Sequence, residues 1–579
     1  MNIIEIITRD NIILRGTSYF ANNKQKCLTV LSCSPYRNFD NTSYFESFGE
    51  FLSTLPAHYI FMDVRGTGES DGETTNEYSL NEINDTNEII KYIRLQEWSN
   101  GYIMMHGISY SAFNALQACS LDNGPDCLFI MHVSNDRWYN DVHYLGGIKT
   151  ITEDINYSFA TTGQNLLPCL KCNDNNLKKM KTPWYMEWFK HGCKENNVWK
   201  NGLINKLPPT LLICGWRDSY ACTAIRLSNI VTFTLIGPFG HKYPENHDEI
   251  IKKWINNIFN NGKININNIK KYNNKLKKNK GNICVVIPTP KSLWSLGYYQ
   301  IIPYNNPSYF LALDYINTIS LLPDLVGDTL EIYTTGDPVI IPTLNSVRND
   351  LTRFPGWGHE FNISLINQGI WGEPEFIFYC SQFESGDYIV ARLVTENGET
   401  LSVGVCRLNF GKNIIKMRPF FIPVNNYNIY LFLNRSWVPV LYPTTNKNIV
   451  YIYSIKLYLP IINNDDYFKL NILPFHSETK LLEDVVVQKI IKKKGNLIYK
   501  TINEYSDKSF SESLSVVFKL GYGTSVNVIN NYSLYDFNIK TITHIINNKT
   551  DNFDVNITAY NNDELINSWN DFFIIGNCN

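Results

Sequence analysis

Three residue types that together perform acyl transfer each follow an apolar run of the sequence. In YIMMHGISYSAF an apolar run ends at a turn that Gly107 permits, Ser109 lies at its tip, and a helical pattern follows. Asp218 comes directly after LLICGWR, and His241 ends the loop GPFGH after another apolar run. A serine hydroxyl becomes a nucleophile when an imidazole accepts its proton and a carboxylate orients that imidazole. These residues predict a nucleophile Ser109, a general base His241 and an orienting acid Asp218.

The transition state of acyl transfer also needs hydrogen-bond donors for the oxyanion. The backbone N–H of Tyr110, directly after Ser109, is the first candidate. The second is expected in the loop after an early strand, where the sequence reads LSCSPYRN and Tyr36 offers its hydroxyl group. Tyr36 is one of 36 tyrosines, so this pattern alone leaves its role open.

The elements that must position these residues are strands of a parallel sheet. Apolar runs alternate with helical patterns, which is typical of α/β architecture and predicts a doubly wound sheet. One connection, LNEINDTNEIIKYIRLQ, places Leu80, Ile83, Ile90 and Ile93 on one helical face, as a crossover between parallel strands requires. The predicted strands lie near residues 27–32, 59–64, 102–106, 127–133, 211–214 and 232–236.

Changes in pattern along the chain predict two large domains. The α/β pattern covers residues 1–262, and it is interrupted at about 138–207 by a segment without buried strands, which indicates a helical cap insertion. A polar, lysine-rich stretch at 263–281 reads as a linker. From residue 282 to 579, short strand patterns alternate with turn residues, which predicts an all-β sandwich or jelly roll.

Composition excludes several classes of protein. The 579 residues carry a formal charge of −2, so no basic field attracts nucleic acid or an anionic membrane. The start, MNIIEIITRDNIILRG, lacks the pattern of a secretory signal, and no apolar stretch is long enough to span a bilayer. We therefore expect a cytoplasmic protein without a cofactor, and a homodimer is compatible with the sequence.

Thirteen cysteines follow no disulfide or metal-binding framework. The close pair Cys169 and Cys172 lacks a second CxxC or a pair of histidines, so buried free thiols are the simpler interpretation and zinc binding is the alternative.

Several separated motifs resemble the cocaine esterase and Xaa-Pro dipeptidyl-peptidase family of serine hydrolases. In the first domain they are SPYRN, DVRGTGESDG, GISYS, NDRWYNDVHYLGG, GWRDSY and GPFGHK, and in the second SLWSLGYYQIIP, TTGDPVIIPT, ESGDYIVARLVTENGE and AYNNDELINSWNDFF. The resemblance implies an α/β-hydrolase fold with a helical cap, followed by a C-terminal jelly-roll β-sandwich.

The same resemblance implies a catalytic triad of Ser109, Asp218 and His241, and an oxyanion hole formed by the Tyr36 hydroxyl and the Tyr110 N–H. Ser111 and Ala112 stand where the family has glycines, which is expected to tighten the turn at the nucleophile.

The resemblance leaves two kinds of substrate open. A small carboxylic ester or amide is favoured, because no large N-terminal domain of the kind found in some dipeptidyl peptidases precedes the hydrolase pattern. The alternative, an Xaa-Pro dipeptidyl aminopeptidase, needs an anion for the substrate amine, for which Asp136, Asp141 and Glu187 are nominal candidates. Candidate walls of the acyl pocket, which are equally compatible with core positions, are Trp138, Tyr139, Trp184, Trp188 and Trp216. A third hypothesis is a degenerate hydrolase that binds a partner through its β-sandwich.

Overall fold

A computed structural model gives the fold over the following residues: 2–22, 25–37, 42–149, 157, 161–169, 177–178, 180–190, 204, 206–216, 218–228, 230–237, 239–241, 247–260, 263–264, 283–288, 296–301, 308–321, 330–334, 359–383, 387–396, 400–434, 449–462, 488–493, 496–504, 510–519, 523–534, 536–547 and 552–574. Up to residue 301 the chain builds an α/β domain, and the later strands build two antiparallel sheets. The expected fold class is confirmed.

The first domain alternates strands with helices. Its strands are β1 (Asn2–Ile7), β2 (Ile13–Tyr19), β3 (Cys27–Ser34), β4 (Ala57–Asp63), β5 (Ser99–Ile108), β6 (Cys127–Met131), β7 (Tyr144–Leu145), β8 (Ile148–Lys149), β9 (Thr210–Gly215), β10 (Phe233–Gly237), β11 (Phe259–Asn260), β12 (Lys263–Ile264), β13 (Ile283–Pro288) and β14 (Leu296–Ile301). Its helices are α1 (Thr42–Ser53), α2 (Leu80–Arg94), α3 (Tyr110–Ala118), α4 (Trp184–Lys190), α5 (Cys222–Arg226) and α6 (His247–Ile258).

Ten of these strands form one mixed sheet in the order β1-β2-β4-β3-β5-β6-β9-β10-β13-β14. The pairs from β4 to β13 are parallel, whereas β1, β2 and β14 pair antiparallel at the two sides. Every residue of β3, β4, β6 and β9 is buried, as expected for parallel strands covered on both faces. The parallel order brings the carboxyl ends of β5, β6, β9 and β10 to one edge.

Helix α2 connects β4 to β5 in the chain and packs against the sheet. The Ser79 hydroxyl accepts a hydrogen bond from the Glu82 N–H and caps the helix, and Ile90 and Ile93 are fully buried. Leu80 does not share that face, because it lies in the first turn and is 73% exposed.

The strand pairing differs from the predicted domain boundary at residue 282. Strand β13 pairs parallel with β10, and β14 pairs with β13, so both strands extend the sheet of the first domain instead of the sandwich. Of the predicted linker 263–281, residues 263–264 form β12, which pairs with β11, and the remainder lies outside the described residues. The apolar run ICVVIP fits a strand of either sheet, so its sequence pattern could not choose between them.

The predicted cap, residues 138–207, is described in part. It contains the hairpin of β7 and β8, a helical stretch at 161–166 and helix α4. Residues 150–156, 158–160, 170–176, 179, 191–203 and 205 lie outside the described residues.

The second half consists of strands. They are β15 (Ser308–Tyr315), β16 (Ile319–Leu321), β17 (Leu330–Thr334), β18 (His359–Gly372), β19 (Glu375–Gln382), β20 (Tyr388–Thr395), β21 (Thr400–Arg407), β22 (Gly411–Lys416), β23 (Phe420–Asn434), β24 (Val450–Ile462), β25 (Gln488–Lys493), β26 (Asn496–Glu504), β27 (Phe510–Lys519), β28 (Gly523–Leu534), β29 (Phe537–Asn547), β30 (Asn552–Asn561) and β31 (Glu564–Ile574).

The first of the two C-terminal sheets curls so that its two edges approach each other. Its strand order is β21-β20-β23-β18-β24-β19-β22, and β15 and β16 also pair with β24. Next to the far edge strand β22, the Arg418 N–H donates to the Val403 carbonyl of β21 over 2.9 Å, so the sheet nearly closes into a barrel. The second sheet is a meander in the order β17-β25-β26-β27-β28-β29-β30-β31. Among the helices described, none has the length and apolar character to cross a membrane.

The C-terminal sheets pack against the loop of Asp218 and against the cap. The ring of Trp216, two residues before Asp218, lies 6.1 Å from the ring of Phe421 on β23. The indole N–H of Trp569 on β31 donates to the Lys181 carbonyl in the cap over 3.0 Å. The second domain therefore supports the site region directly.

We expect Phe421→Ala to lower the free energy of unfolding by about 3–5 kcal/mol, because the buried ring contacts both Trp216 and Trp371. Thermal melting and urea unfolding measure this loss. Phe572→Ala is the matched control, since that ring is 53% exposed. Equal melting temperatures for the two variants would contradict the packing role of Phe421.

Candidate active site

Ser109 lies at a strained turn between β5 and α3. Its backbone has φ 57° and ψ −115°, a conformation that residues other than glycine rarely adopt. The Ser109 N–H donates to the Met131 carbonyl at the end of β6, and the Ser109 carbonyl accepts from the Phe113 N–H of α3. Strand, turn and helix thus have the geometry that the sequence predicted for a nucleophile elbow at Ser109.

Two small residues make this turn sterically feasible. A Cβ atom on Gly107 would lie 2.5 Å from the carbonyl carbon of Ser111 and 2.6 Å from the nitrogen of Ala112, so no side chain fits there. The Ser111 hydroxyl accepts from the Ile108 N–H and donates to the Ile108 carbonyl, both over 3.0 Å. Ser111 therefore adds hydrogen bonds across the turn where the family has glycine.

Asp218 and His241 meet at the ends of β9 and β10. His241 Nδ1 lies 3.2 Å from each oxygen of the Asp218 carboxylate, and both side chains are buried. The backbones that lead to Asp218 and His241 pack closely against each other at Gly215, where an added Cβ atom would lie only 2.0 Å from the Phe239 carbonyl oxygen. The structure thus joins the predicted acid and base at the sheet edge where Ser109 also lies.

A second histidine also contacts Asp218. Nδ1 of His132, the residue after β6, lies 2.6 Å from Asp218 Oδ2. Burial by itself raises the pKa of Asp218, but His241 and His132 outweigh it and hold that pKa well below its ordinary value. His132 was not among the residues that the sequence motifs predicted for the site, although it directly follows the apolar run CLFIM.

Tyr36, in the loop after β3, lies beside the nucleophile. Its hydroxyl is hydrogen-bonded to Ser109 and to Tyr157, and its ring packs edge-on against Tyr110 with the centroids 6.0 Å apart. Burial raises the pKa of Tyr36, so the hydroxyl keeps its proton and remains a donor. The structure thus places the Tyr36 hydroxyl beside Ser109.

A buried ion cluster lies behind Tyr36. The Tyr157 hydroxyl donates to Glu77 Oε1 over 3.1 Å, and His143 Nε2 lies 2.6 Å from Glu77 Oε2. Arg137 pairs with both Glu77 and Asp141. The hydroxyl of Tyr36 is thereby linked through Tyr157 to a carboxylate that is itself paired.

The ring of Tyr110 is held by a second buried carboxyl group. Its hydroxyl donates to Glu82 Oε2 over 2.7 Å, and the Asn114 amide donates to Glu82 Oε1 over 2.9 Å. Burial raises the pKa of Glu82 to about 7. Because Tyr110 follows Ser109, these contacts fix the first turn of α3, where the backbone N–H groups have no helical acceptor.

The aromatic residues suggested as pocket walls fall into two groups. Trp184, Trp188 and Trp216 are buried core residues. Trp184 stacks on Tyr110, and the Trp188 N–H donates to the Asn76 side chain. Trp138 and Tyr139 are half-buried, and Trp138 stacks on Tyr144 with the ring centroids 4.3 Å apart.

No metal-binding cluster of three or more His, Cys, Asp or Glu side chains occurs within the described part of the chain. Cys169 is buried and its Sγ lies 2.9 Å from Glu69 Oε2. Its suggested partner Cys172 lies outside the described residues.

Comparison with known proteins decides the class of this site. Residues 19–241 match the family model of the X-Pro dipeptidyl-peptidases (S15 family), a range that begins in β2 and ends at His241. The chain is a serine-type hydrolase. The match confirms the resemblance that the sequence motifs indicated. A search of curated proteins finds no match to this hydrolase.

Solved structures share the fold of this hydrolase over both domains. A CocE/NonD family hydrolase from Staphylococcus aureus has a TM-score of 0.55 and 13% identity, and the alignment covers 79% of this chain and 93% of that one. An aminopeptidase from a marine sediment Thaumarchaeota archaeon has a TM-score of 0.54 and 12% identity, with coverage of 80% and 96%. An α-amino acid ester hydrolase has a TM-score of 0.55 and 12% identity, with the same coverage.

We expect Gly107→Ala to reduce hydrolysis on the order of 100-fold, because the new methyl group must displace the turn that holds Ser109. Initial rates with a chromogenic ester measure the change. Gly101→Ala on the same strand is the control, since no atom lies within 4 Å of its Cβ position and only backbone strain of about 1–2 kcal/mol results. An equal loss in both variants would show that the crowding at the turn is unimportant.

Glu82→Gln should change how stability depends on pH. Burial raises the pKa of Glu82 from 4.5 to about 7, so the folded state favours the protonated form. The resulting contribution of Glu82 to the free energy of unfolding is fully present below about pH 4.5 and is lost as the pH rises through about 7. Relative to the wild type, the glutamine variant should therefore gain up to about 3 kcal/mol between acidic and mildly basic pH.

Urea unfolding across this pH range measures the effect of Glu82→Gln. Glu249→Gln on α6 is the control, because that side chain is 55% exposed. If the curves of wild type and Glu82→Gln remain parallel at all pH values, the Glu82 carboxyl group does not titrate as described.

Proposed function

We propose that this hydrolase cleaves a carboxylic ester or amide of a small acyl compound through an acyl-enzyme on Ser109. The observation that carries the proposal is the Asp218–His241 pair at the ends of β9 and β10, at the same sheet edge as a serine with φ 57° at the end of β5. A strained backbone and a buried carboxylate both oppose folding, so their combination at one sheet edge supports a catalytic role.

The proposed reaction has two steps. Ser109 Oγ attacks the carbonyl carbon while His241 accepts the hydroxyl proton, and Asp218 stabilises the resulting imidazolium. The tetrahedral intermediate then collapses, and His241 returns that proton to the leaving alcohol or amine. Water attacks the acyl-serine ester with His241 again as base, which releases the carboxylic acid and restores Ser109.

Two donors would stabilise the oxyanion in both steps. The Tyr110 N–H belongs to the first residue of α3, and the Tyr36 hydroxyl is already hydrogen-bonded to Ser109. Each donor of this kind contributes about 2.7–4 kcal/mol to transition-state stabilisation. Because the Tyr157 hydroxyl donates to Glu77, the single O–H of Tyr36 would turn from Tyr157 to the oxyanion when that charge forms.

The charges near the site favour an ester or simple amide over an Xaa-Pro dipeptide. A dipeptidyl aminopeptidase needs an anion for the free amine of its substrate, and Asp141 was one candidate. Its Oδ1 accepts from the Val142 N–H over 2.7 Å and its Oδ2 from Arg137 Nε over 3.1 Å. Asp136 Oδ1 accepts from the Tyr139 N–H over 3.0 Å. The buried carboxylate Glu77 is likewise paired, with Arg137 and His143.

Labelling with a fluorophosphonate tests the nucleophile. We expect the wild type to be labelled and to hydrolyse short-chain nitrophenyl esters, and Ser109→Ala to lose both properties. Ser120→Ala, an exposed serine just beyond α3, is the matched control and should behave as the wild type. Failure to label the wild type, or equal labelling of Ser109→Ala, would overturn the proposal.

A substrate panel separates the two chemistries. Turnover of nitrophenyl esters without turnover of Ala-Pro or Gly-Pro anilides supports the esterase. Turnover of the anilides would establish the dipeptidyl-peptidase instead. Binding of a carbohydrate or protein by the C-terminal sheets, without any labelling of Ser109, would support the degenerate-hydrolase alternative.

A further inference from the structure

His132 is placed at the same sheet edge as the proposed triad. It is the residue after β6, and β6 lies between β5, which leads to Ser109, and β9, which leads to Asp218. The imidazole is fully buried, and its Nδ1 lies 2.6 Å from Asp218 Oδ2. The mechanism above assigns no role to this side chain.

The distances around the Asp218 carboxylate distinguish the two histidines. His241 Nδ1 is 3.2 Å from both oxygens, so it does not select one of them. His132 approaches Oδ2 alone over the shorter distance, and the Tyr220 N–H donates to Oδ1 over 3.3 Å. Oδ2 therefore has a closer contact with His132 than with His241, and Oδ1 accepts the Tyr220 N–H.

The backbone of His132 is held in a conformation that has a free-energy cost. Its φ of 46° lies in the left-handed region, and its N–H donates to the Ile213 carbonyl of β9 over 2.9 Å. Non-glycine residues persist in this region only where the surrounding structure enforces it, and such positions cluster at functional sites. In this conformation the ring of His132 contacts Asp218 Oδ2.

We propose that His132 is a positioning residue: its Nδ1, 2.6 Å from Asp218 Oδ2, keeps the carboxylate oriented toward His241. This inference rests on the proposed hydrolase mechanism. In that mechanism His241 becomes an imidazolium when it accepts the Ser109 proton, and the Asp218 carboxylate must face the imidazolium to stabilise it. The contact of His132 with Oδ2 fixes that orientation within a fully buried pair of side chains.

Two substitutions separate the polar contact between His132 Nδ1 and Asp218 Oδ2 from the shape of the His132 side chain. The amide nitrogen of His132→Asn occupies about the position of Nδ1, and asparagine tolerates the left-handed backbone. His132→Leu fills similar space without a donor. With a nitrophenyl ester, we expect kcat of His132→Leu to fall on the order of 10- to 100-fold with little change in KM, and His132→Asn to retain most of the wild-type kcat.

A third variant applies if His132→Leu does not fold. The amide of His132→Gln extends to about the position of Nε2 and not of Nδ1, so this variant stays polar but should resemble the leucine variant in kcat. Circular dichroism and melting curves verify the fold of each protein. Equal kcat values for His132→Asn and His132→Gln would overturn the positioning role.

The remaining outcomes are also distinguishable. If His241→Ala retains activity and every His132 variant loses it, His132 is itself the base and the inference is wrong. If the wild type is neither labelled by fluorophosphonate nor active, the proposed function fails, independently of His132. If the wild type is active and all His132 variants match it, this inference alone fails.

Discussion

A buried carboxylate is the constraint on which the site depends. Asp218 is fully enclosed, and an ionised group in such a place is tolerated only when donors surround it. Asp218 contacts His132 after β6 and His241 after β10, and it accepts the Tyr220 N–H in the turn after β9. The parallel order of these strands, with every carboxyl end at one edge, is what allows these three contacts to converge.

Ser109 is held by a different set of contacts at the end of β5. It keeps its strained backbone because Gly107 leaves room for the turn and the Ser111 hydroxyl forms hydrogen bonds across it. Tyr36, which contacts Ser109, is linked to Tyr157 of the cap and onward to the buried Glu77. Ser109 and Asp218 are therefore held by contacts from different parts of the chain.

The C-terminal sheets pack against the hydrolase domain at two places. Phe421 packs on Trp216 near Asp218, and the Trp569 indole N–H donates to the Lys181 carbonyl in the cap, so the C-terminal sheets contact both the loop of Asp218 and the cap.

Local patterns in the sequence determined where Ser109, Asp218 and His241 lie relative to their strands, and they determined that an α/β domain precedes the β-rich half. This was possible because strands and glycine turns depend on residues that are adjacent in the chain. Tertiary structure alone decided that β13 and β14 join the first sheet and that His132 shares Asp218 with His241. It also showed that three of the suggested pocket tryptophans are buried. These outcomes depend on packing between residues far apart in the chain, and a local pattern carries no information about its distant partner.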